Sequence, residues 1–326
     1  MKSRYAEIIS HHEVYLGLDD TCHCFTSVDG DVTCMTVPAL QSFHEEADTR
    51  MIFHLDFVAH VQEATNITIR SNDTDVLVIL LYYMSQADTQ IRVWLDAGLA
   101  SNNTRRFISI NDLVDKIGND VLVALPGLHA FTGCNYTSSF LNKGKVKPMD
   151  IMMKSEEFLD ALAKLGNGPL SDATFQTCEK FVCHLYGRTK LASVNLARHV
   201  IFQQTYAPKN MDDPLHSIKG VNPSSMPPCA KVLRKKLDRA NYVSRMWKRA
   251  ASQKPCDNHP DGHGWVFDSG TYKIQWYDGG QMPSDIYRVL DQNTQTPIVD
   301  EIEDEEVTYG EDLYGADEMN DDDDYI

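Results

Sequence analysis

The spacing of apolar positions changes character near residue 150. Before it, short alternating runs are interleaved with helical periods. Val14–Leu18 and Cys22–Thr26 alternate loosely and are broken by Asp19-Asp20 and Asp29-Gly30-Asp31, which predicts a hairpin entering a sheet. A helix is expected from near Ser42, where Ser42-x-x-Glu45 has capping-box spacing and Asp48, Ile52, Leu55 and Ala59 recur at helical intervals. Asn66–Arg70 alternates with β-branched residues and reads as a strand. The apolar run Val76–Leu81 follows, then a second strand at Ile91–Leu95. Ser109 opens a short helix to Ile117. A second helix, Asp120–Thr132, is apolar nearly all round and therefore buried, with Pro126 expected to kink it and Gly133 to end it. Strands alternating with helices predict an α/β fold with a mostly parallel sheet flanked by helices.

After Pro148 the strand signals stop. Glu156–Leu165, Asp172–Tyr186 and Val194–Tyr206 read as helices capped by Ser155, Ser171 and Ser193. Residues 209–228 are turn-rich and read as loop. Lys231–Ala250 is a helix with eight Lys or Arg against Asp238 alone, either a solvated amphipathic helix or a phosphate-contacting patch. Gly262–Phe267 and Tyr272–Trp276 read as a hairpin around Asp268-Ser269-Gly270. The expected organisation is thus an α/β core over 1–150, an α-helical region over 151–250, a small β-hairpin over 251–285 and a disordered acidic tail over 286–326.

Charge sharpens that division. The formal net charge is −17, yet residues 300–326 hold 14 acidic side chains and no Lys or Arg, so the rest of the chain carries only −3. A nearly balanced folded part does not exclude a nucleic-acid partner, and the acidic tail offers a surface to a protein partner. No apolar run reaches the roughly 18–20 residues of a membrane span, and no apolar stretch follows the basic Met1–Arg4 start. The expected location is intracellular, with a nuclear one compatible, and the eight scattered cysteines are then read as thiols. Cys22-His23-Cys24 is a poor zinc site, because on a strand His23 points away from the two cysteines.

Candidate chemistry lies between Ser42 and Lys145. Glu45 and Glu46 are ordinary acids for a helix N-terminus, but Asp48 leads the apolar face and needs a partner there. Asp73-Thr74-Asp75 follows a strand. One of the two carboxylates suffices to cap the next helix, so the pair leaves a site open as the alternative. Gly133-Cys134-Asn135-Tyr136 ends the buried helix, with Lys143, Lys145 and Lys147 close behind and Arg105-Arg106 in an earlier loop.

In that order, Glu46-Ala47-Asp48, Asp73-Thr74-Asp75, the Gly-Cys-Asn-Tyr turn and the Lys-Gly-Lys segment resemble the flap-endonuclease branch of the PIN-like nucleases over residues 40–150. Residues 44–50, 125–130, 239–242 and 262–265 also resemble a family present in many copies in invertebrate genomes and carrying this core. The resemblance implies an N-terminally truncated PIN-like core. It implies metal-dependent phosphodiester hydrolysis, with Mg²⁺ or Mn²⁺ held by Glu46, Asp48, Asp73 and Asp75 as catalytic ligands and by Asn135. It also implies nucleic-acid contacts from Lys143, Lys145, Lys147, Arg105 and Arg106. Asn135 stands where the family has Asp, and residues 1–41 are too short for the family's N-terminal carboxylate-bearing strands. Two alternatives follow: a catalytically inactive nucleic-acid- or protein-binding module, or an interaction scaffold in which the acids are helix caps.

Overall fold

The computed structural model describes residues 7, 9–88, 90–101, 103–210, 212–219, 222–256 and 259–277. The expected acidic tail lies outside them.

Val14–Leu18 (β1), Thr21–Val28 (β2) and Asp31–Thr36 (β3) form an antiparallel meander. The expected hairpin is present, but it builds its own sheet rather than joining the central one. Its buried Cys22 packs with Phe53 and with Leu40, which follows β3 in a short turn.

The central sheet has the order β4-β5-β6, from Asn66–Arg70, Arg92–Ala97 and Arg106–Ser109. β4 and β5 pair in parallel around helix α2, Thr74–Gln86; Ala47–His60 is α1. β6 then pairs antiparallel with β5, so the sheet is mixed and the expected mostly parallel sheet is corrected. The cause is local. The connection 98–105 is too short for the crossover a parallel neighbour requires. It is closed by Gly98 at φ +83°, where a Cβ would lie 2.3 Å from the Thr104 carbonyl oxygen. β6 was also missed as a strand, because its four residues carry no clear alternation.

Ile110–Ile117 (α3) and Asn119–Thr132 (α4) follow, with Ser109 capping α3. α4 runs through Pro126 and is the hub of the fold, packed against α2, α6 and α9. This is why its sequence is apolar on every side. Val146–Met153 (α5), Glu156–Lys164 (α6), Asp172–Leu185 (α7) and Val194–Thr205 (α8) form the helical region, and Ala230–Lys248 is α9. α4 and α6 approach closely at Gly127, where a Cβ would stand 2.2 Å from the Leu162 carbonyl oxygen. Ala207–Asn210 (β7) and Asp213–Lys219 (β8) pair with register shifts, so part of the expected 209–228 loop is a ribbon. Trp265–Asp268 (β9) and Thr271–Ile274 (β10) make the expected hairpin.

One continuous core joins α1, the central sheet, α2–α9 and Trp265. The boundaries expected at 150 and 250 therefore do not separate hydrophobic cores. α9 is the clearest case. Leu233, Leu237, Ala240, Val243 and Trp247 are buried, and so are Lys236 and Arg239. The basic helix is an interior element with a polar rim, not a solvated one.

Candidate metal centre

Two helix starts face each other across the site. α1 begins at Ala47, five residues beyond the expected Ser42 cap, and Glu46 holds the cap position without a side-chain capping bond. The preceding loop is held extended instead. Phe43 N–H donates to the Gln253 carbonyl at 3.0 Å, and the His44 ring sits 2.9 Å from both Thr49 Oγ1 and the Ser252 carbonyl. Ser42 Oγ accepts from Arg50 Nε at 2.9 Å. Ser42 and Glu45 are thus not a capping box. At the second start, Asp73 does cap α2, accepting from Asp75 N–H at 2.8 Å.

These starts bring Asp48, Asp73 and Asp75 together, with one oxygen from each within 4.8 Å of the others. Asp75 is 4% exposed, Asp48 is half-buried and Asp73 is exposed. Asp75 Oδ1 accepts from His129 Nε2 at 2.8 Å, while Oδ2 is buried and has no hydrogen-bond partner. An unpaired buried carboxylate oxygen carries an uncompensated desolvation cost. Burial, then the charges of Asp73 and Asp75, pushes the Asp48 carboxyl above its ordinary range. Carboxylate oxygens at this spacing, with one buried oxygen left without a partner, suit a small hard cation. Both helix N-termini help hold the negative charge.

Glu46 stands beside the trio. Its Oε2 accepts from Tyr136 O–H at 2.9 Å and its Oε1 from Trp247 Nε1–H at 3.2 Å. Burial raises its carboxyl, the two hydrogen bonds oppose this, and the charges of Asp48 and Asp75 add to it. Of the four expected carboxylate ligands, three therefore converge directly, and Glu46 adjoins them in a hydrogen-bonded frame. Asn135 is exposed at the tip of a tight turn closed by mutual Cys134–Thr137 backbone bonds of 3.0 and 3.2 Å, and it makes no hydrogen bond to the carboxylates.

The expected basic residues divide by commitment. Arg105 makes a bidentate pair with Asp96 at 2.8 Å through Nε and Nη2, and Arg70 adds a third bond of 2.8 Å. Asp96 is buried, and these guanidiniums hold its carboxyl low, so Arg105 is spent on neutralising it. Lys145 donates to the carbonyls of His129 (2.9 Å) and Gly133 and to Thr132 Oγ1 (3.0 Å). It closes the C-terminus of α4, and burial pushes its pKa down to about 8. Lys143 lies 5.0 Å over the Tyr186 ring. Lys147 and Arg106 are exposed.

Three site residues were not assigned roles from the sequence: His129, Tyr136 and Trp247. His129 is 54 positions from Asp75 and Trp247 is 201 from Glu46, so no local spacing reports either contact. The one available signal was a histidine inside an otherwise apolar helix.

A cavity of about 700 Å³ opens beside Glu46, between α1, the end of β1 with the turn that follows it, and the outer edge of β4. His44, Arg50, His54 and Arg70 line it on an apolar floor of Leu55, Val58, Ile67 and Ile69. Burial lowers the His44 pKa to about 4 and also lowers that of His54, so the cationic lining is Arg50 and Arg70. Comparison with models of known protein families, with curated proteins and with solved structures finds no match.

Proposed function

We propose that this chain is a divalent-metal-dependent phosphodiesterase acting on nucleic acid, with a PIN-like core of flap-endonuclease type. The observation that carries the reading is the convergence of Asp48, Asp73 and Asp75, of which the buried Asp75 has an Oδ2 without a partner. Asp48, Asp73 and Asp75 would hold Mg²⁺ or Mn²⁺, which supplies charge neutralisation at a phosphate oxygen and a lowered pKa for bound water.

The chain's own groups have separable tasks. His129 fixes the orientation of Asp75, as an outer partner of a ligand does. Tyr136 and Trp247 hold the Glu46 carboxylate in place, and its raised proton affinity suits it to accept a proton from attacking water. The cavity beside Glu46, with Arg50 and Arg70, is the place for the reacting strand, and Lys147 and Arg106 are exposed cations for its backbone.

A catalytically inactive, cation-dependent binding module is the second reading. It is favoured by a single cluster of three carboxylates among the described residues, where a two-ion centre needs more. Cleavage of branched and single-stranded DNA and RNA with Mg²⁺ or Mn²⁺ separates the two. The first reading expects cation-dependent products that disappear in Asp73→Ala plus Asp75→Ala. Cation-dependent binding without products supports the second, and activity that survives the double substitution refutes the proposed centre.

A further inference from the structure

Lys236 and Arg239 on α9 are 3% and 1% exposed. Buried cations are ordinarily paired with carboxylates. These two make their hydrogen bonds to neutral oxygens. Lys236 Nζ donates to the Ser138 carbonyl and lies 3.5 Å from Ser138 Oγ. Arg239 Nη1 donates to the carbonyls of Gly264 and Gln275 at 3.1 Å, and its Nε is buried with no partner. Carbonyl oxygens satisfy donors but leave the positive charge uncancelled. The nearby carboxylate, Asp238, tempers Arg239 electrostatically but sits 4.0 Å from Arg234 Nε.

Both cations line a cavity of about 250 Å³, together with Arg198, whose guanidinium donates to the Pro227 carbonyl. No Asp or Glu is among the described residues lining it. Its other walls include aromatic faces. Lys236 Nζ lies 4.6 Å above the Phe140 ring and Arg239 Cζ lies 5.4 Å from the Trp276 ring; Tyr186 forms a third side, with Lys143 over it at 5.0 Å. The space equals roughly eight water volumes, enough for a tetrahedral oxyanion with part of what it is attached to. Burial, and then the charge of Arg239, pushes the Lys236 pKa down to about 7, the response of a cation that lacks a counter-charge.

We propose that Arg198, Lys236 and Arg239 form a binding site for a phosphate monoester, separate from the carboxylate centre. A doubly charged oxyanion supplies the counter-charge the pocket lacks, and the guanidinium fork and ammonium are the donors that recognise phosphate. The Ser138 end of the 133–141 loop forms one wall, while Tyr136 of the same loop holds Glu46, so the loop joins the two sites. The anion site stands on its own residues. Naming a terminal phosphate of a nucleic acid as its occupant rests on the proposed function.

The test is run in EDTA, so that failure of the metal centre leaves it untouched. Thermal unfolding of the intact chain is followed with inorganic phosphate, a nucleoside monophosphate, and oligonucleotides bearing a terminal phosphate or hydroxyl. Phosphate is expected to raise Tm by several degrees in the wild type. Lys236→Met is expected to raise Tm without phosphate, because it removes an unpaired buried charge, and to abolish most of the phosphate shift. Arg198→Gln, at a half-buried position, serves as a second variant and is expected to weaken phosphate binding at least tenfold. Phosphorylated oligonucleotide binding at least tenfold tighter than its hydroxyl counterpart identifies a nucleic-acid end. Equal oligonucleotide binding, with the Lys236-dependent phosphate shift intact, assigns the site to a small phosphate and overturns the nucleic-acid occupant. No phosphate shift in the wild type, or an equal shift in both variants, overturns the site.

Discussion

Asp75→Asn is the substitution whose consequences differ most between a cation site and a set of helix caps. Two unit charges 4.8 Å apart repel by about 3.5 kcal/mol at an effective dielectric of about 20. Asp75 has two such neighbours, Asp48 and Asp73, and the exposure of Asp73 to solvent screening reduces the sum. Replacing the Asp75 carboxylate by an amide keeps an oxygen for His129 and removes the repulsion, while placing an N–H₂ where Oδ2 had no partner costs about 1–3 kcal/mol. The net expectation in EDTA is a variant as stable as the wild type or more stable by about 1–3 kcal/mol. With Mn²⁺ at 100 times its Kd the wild type should gain about 2.7 kcal/mol, or roughly 4–5 °C in Tm for a chain of this size. The variant should gain almost none. Differential scanning fluorimetry in EDTA and in Mn²⁺ reads both numbers. An Asp75→Asn protein destabilised in EDTA that keeps the full Mn²⁺ shift would refute the reasoning and leave Asp75 as a structural residue.

Three further outcomes are expected. Burial and neighbouring charge raise the Glu46 and Asp48 carboxyls, so the folded state holds protons that the unfolded chain has released. Their contribution to stability is present below about pH 4, the unfolded carboxylate range, and is lost as pH rises through the raised folded values. In EDTA the wild type should therefore lose stability relative to Asp48→Asn over that window, and saturating Mn²⁺ should abolish the loss; an opposite slope contradicts the assignment. His129→Gln should weaken Mn²⁺ affinity about 10- to 100-fold, measured by calorimetric titration, whereas a merely structural histidine would change stability and leave affinity intact. Gly127→Ala should destabilise by about 1–3 kcal/mol or more in urea unfolding, because its Cβ would meet the Leu162 carbonyl oxygen at 2.2 Å; a change under about 0.5 kcal/mol would show that α4 and α6 part easily.

What was legible in the chain follows from the range of each interaction. Asp48, Asp73 and Asp75 were readable because each sits in the first turn or at the cap of a helix, and the helical period and the Asp-x-Asp spacing are local signals. The same locality misplaced the start of α1. The Ser42–Glu45 spacing fits a capping box, yet Ser42 is engaged by Arg50, and the next residues are tied to Ser252 and Gln253 near the end of α9. Nothing in a window of a dozen residues reports that tether. The mixed sheet was hidden for a related reason: β6 is four residues long, and its direction is set by the length of the loop before it. α9 is the instructive failure of pattern reading. Eight basic residues suggested a wet surface, but Lys236 and Arg239 are interior and their partners are backbone carbonyls from residues 138, 264 and 275. Of the two readings of the Asp-x-Asp pair, the cap is present at Asp73, which also belongs to the three-carboxylate cluster that the proposed function uses.

Crystals of the full chain soaked in Mn²⁺, with anomalous diffraction at the manganese edge, bear most directly on the central claim. A single strong peak is expected within about 2.0–2.6 Å of oxygens from Asp48, Asp73 and Asp75, with Asp75 Oδ2 among the ligands and His129 still bonded to Oδ1. Occupancy elsewhere, with the three carboxylates unligated at saturating Mn²⁺, would contradict it.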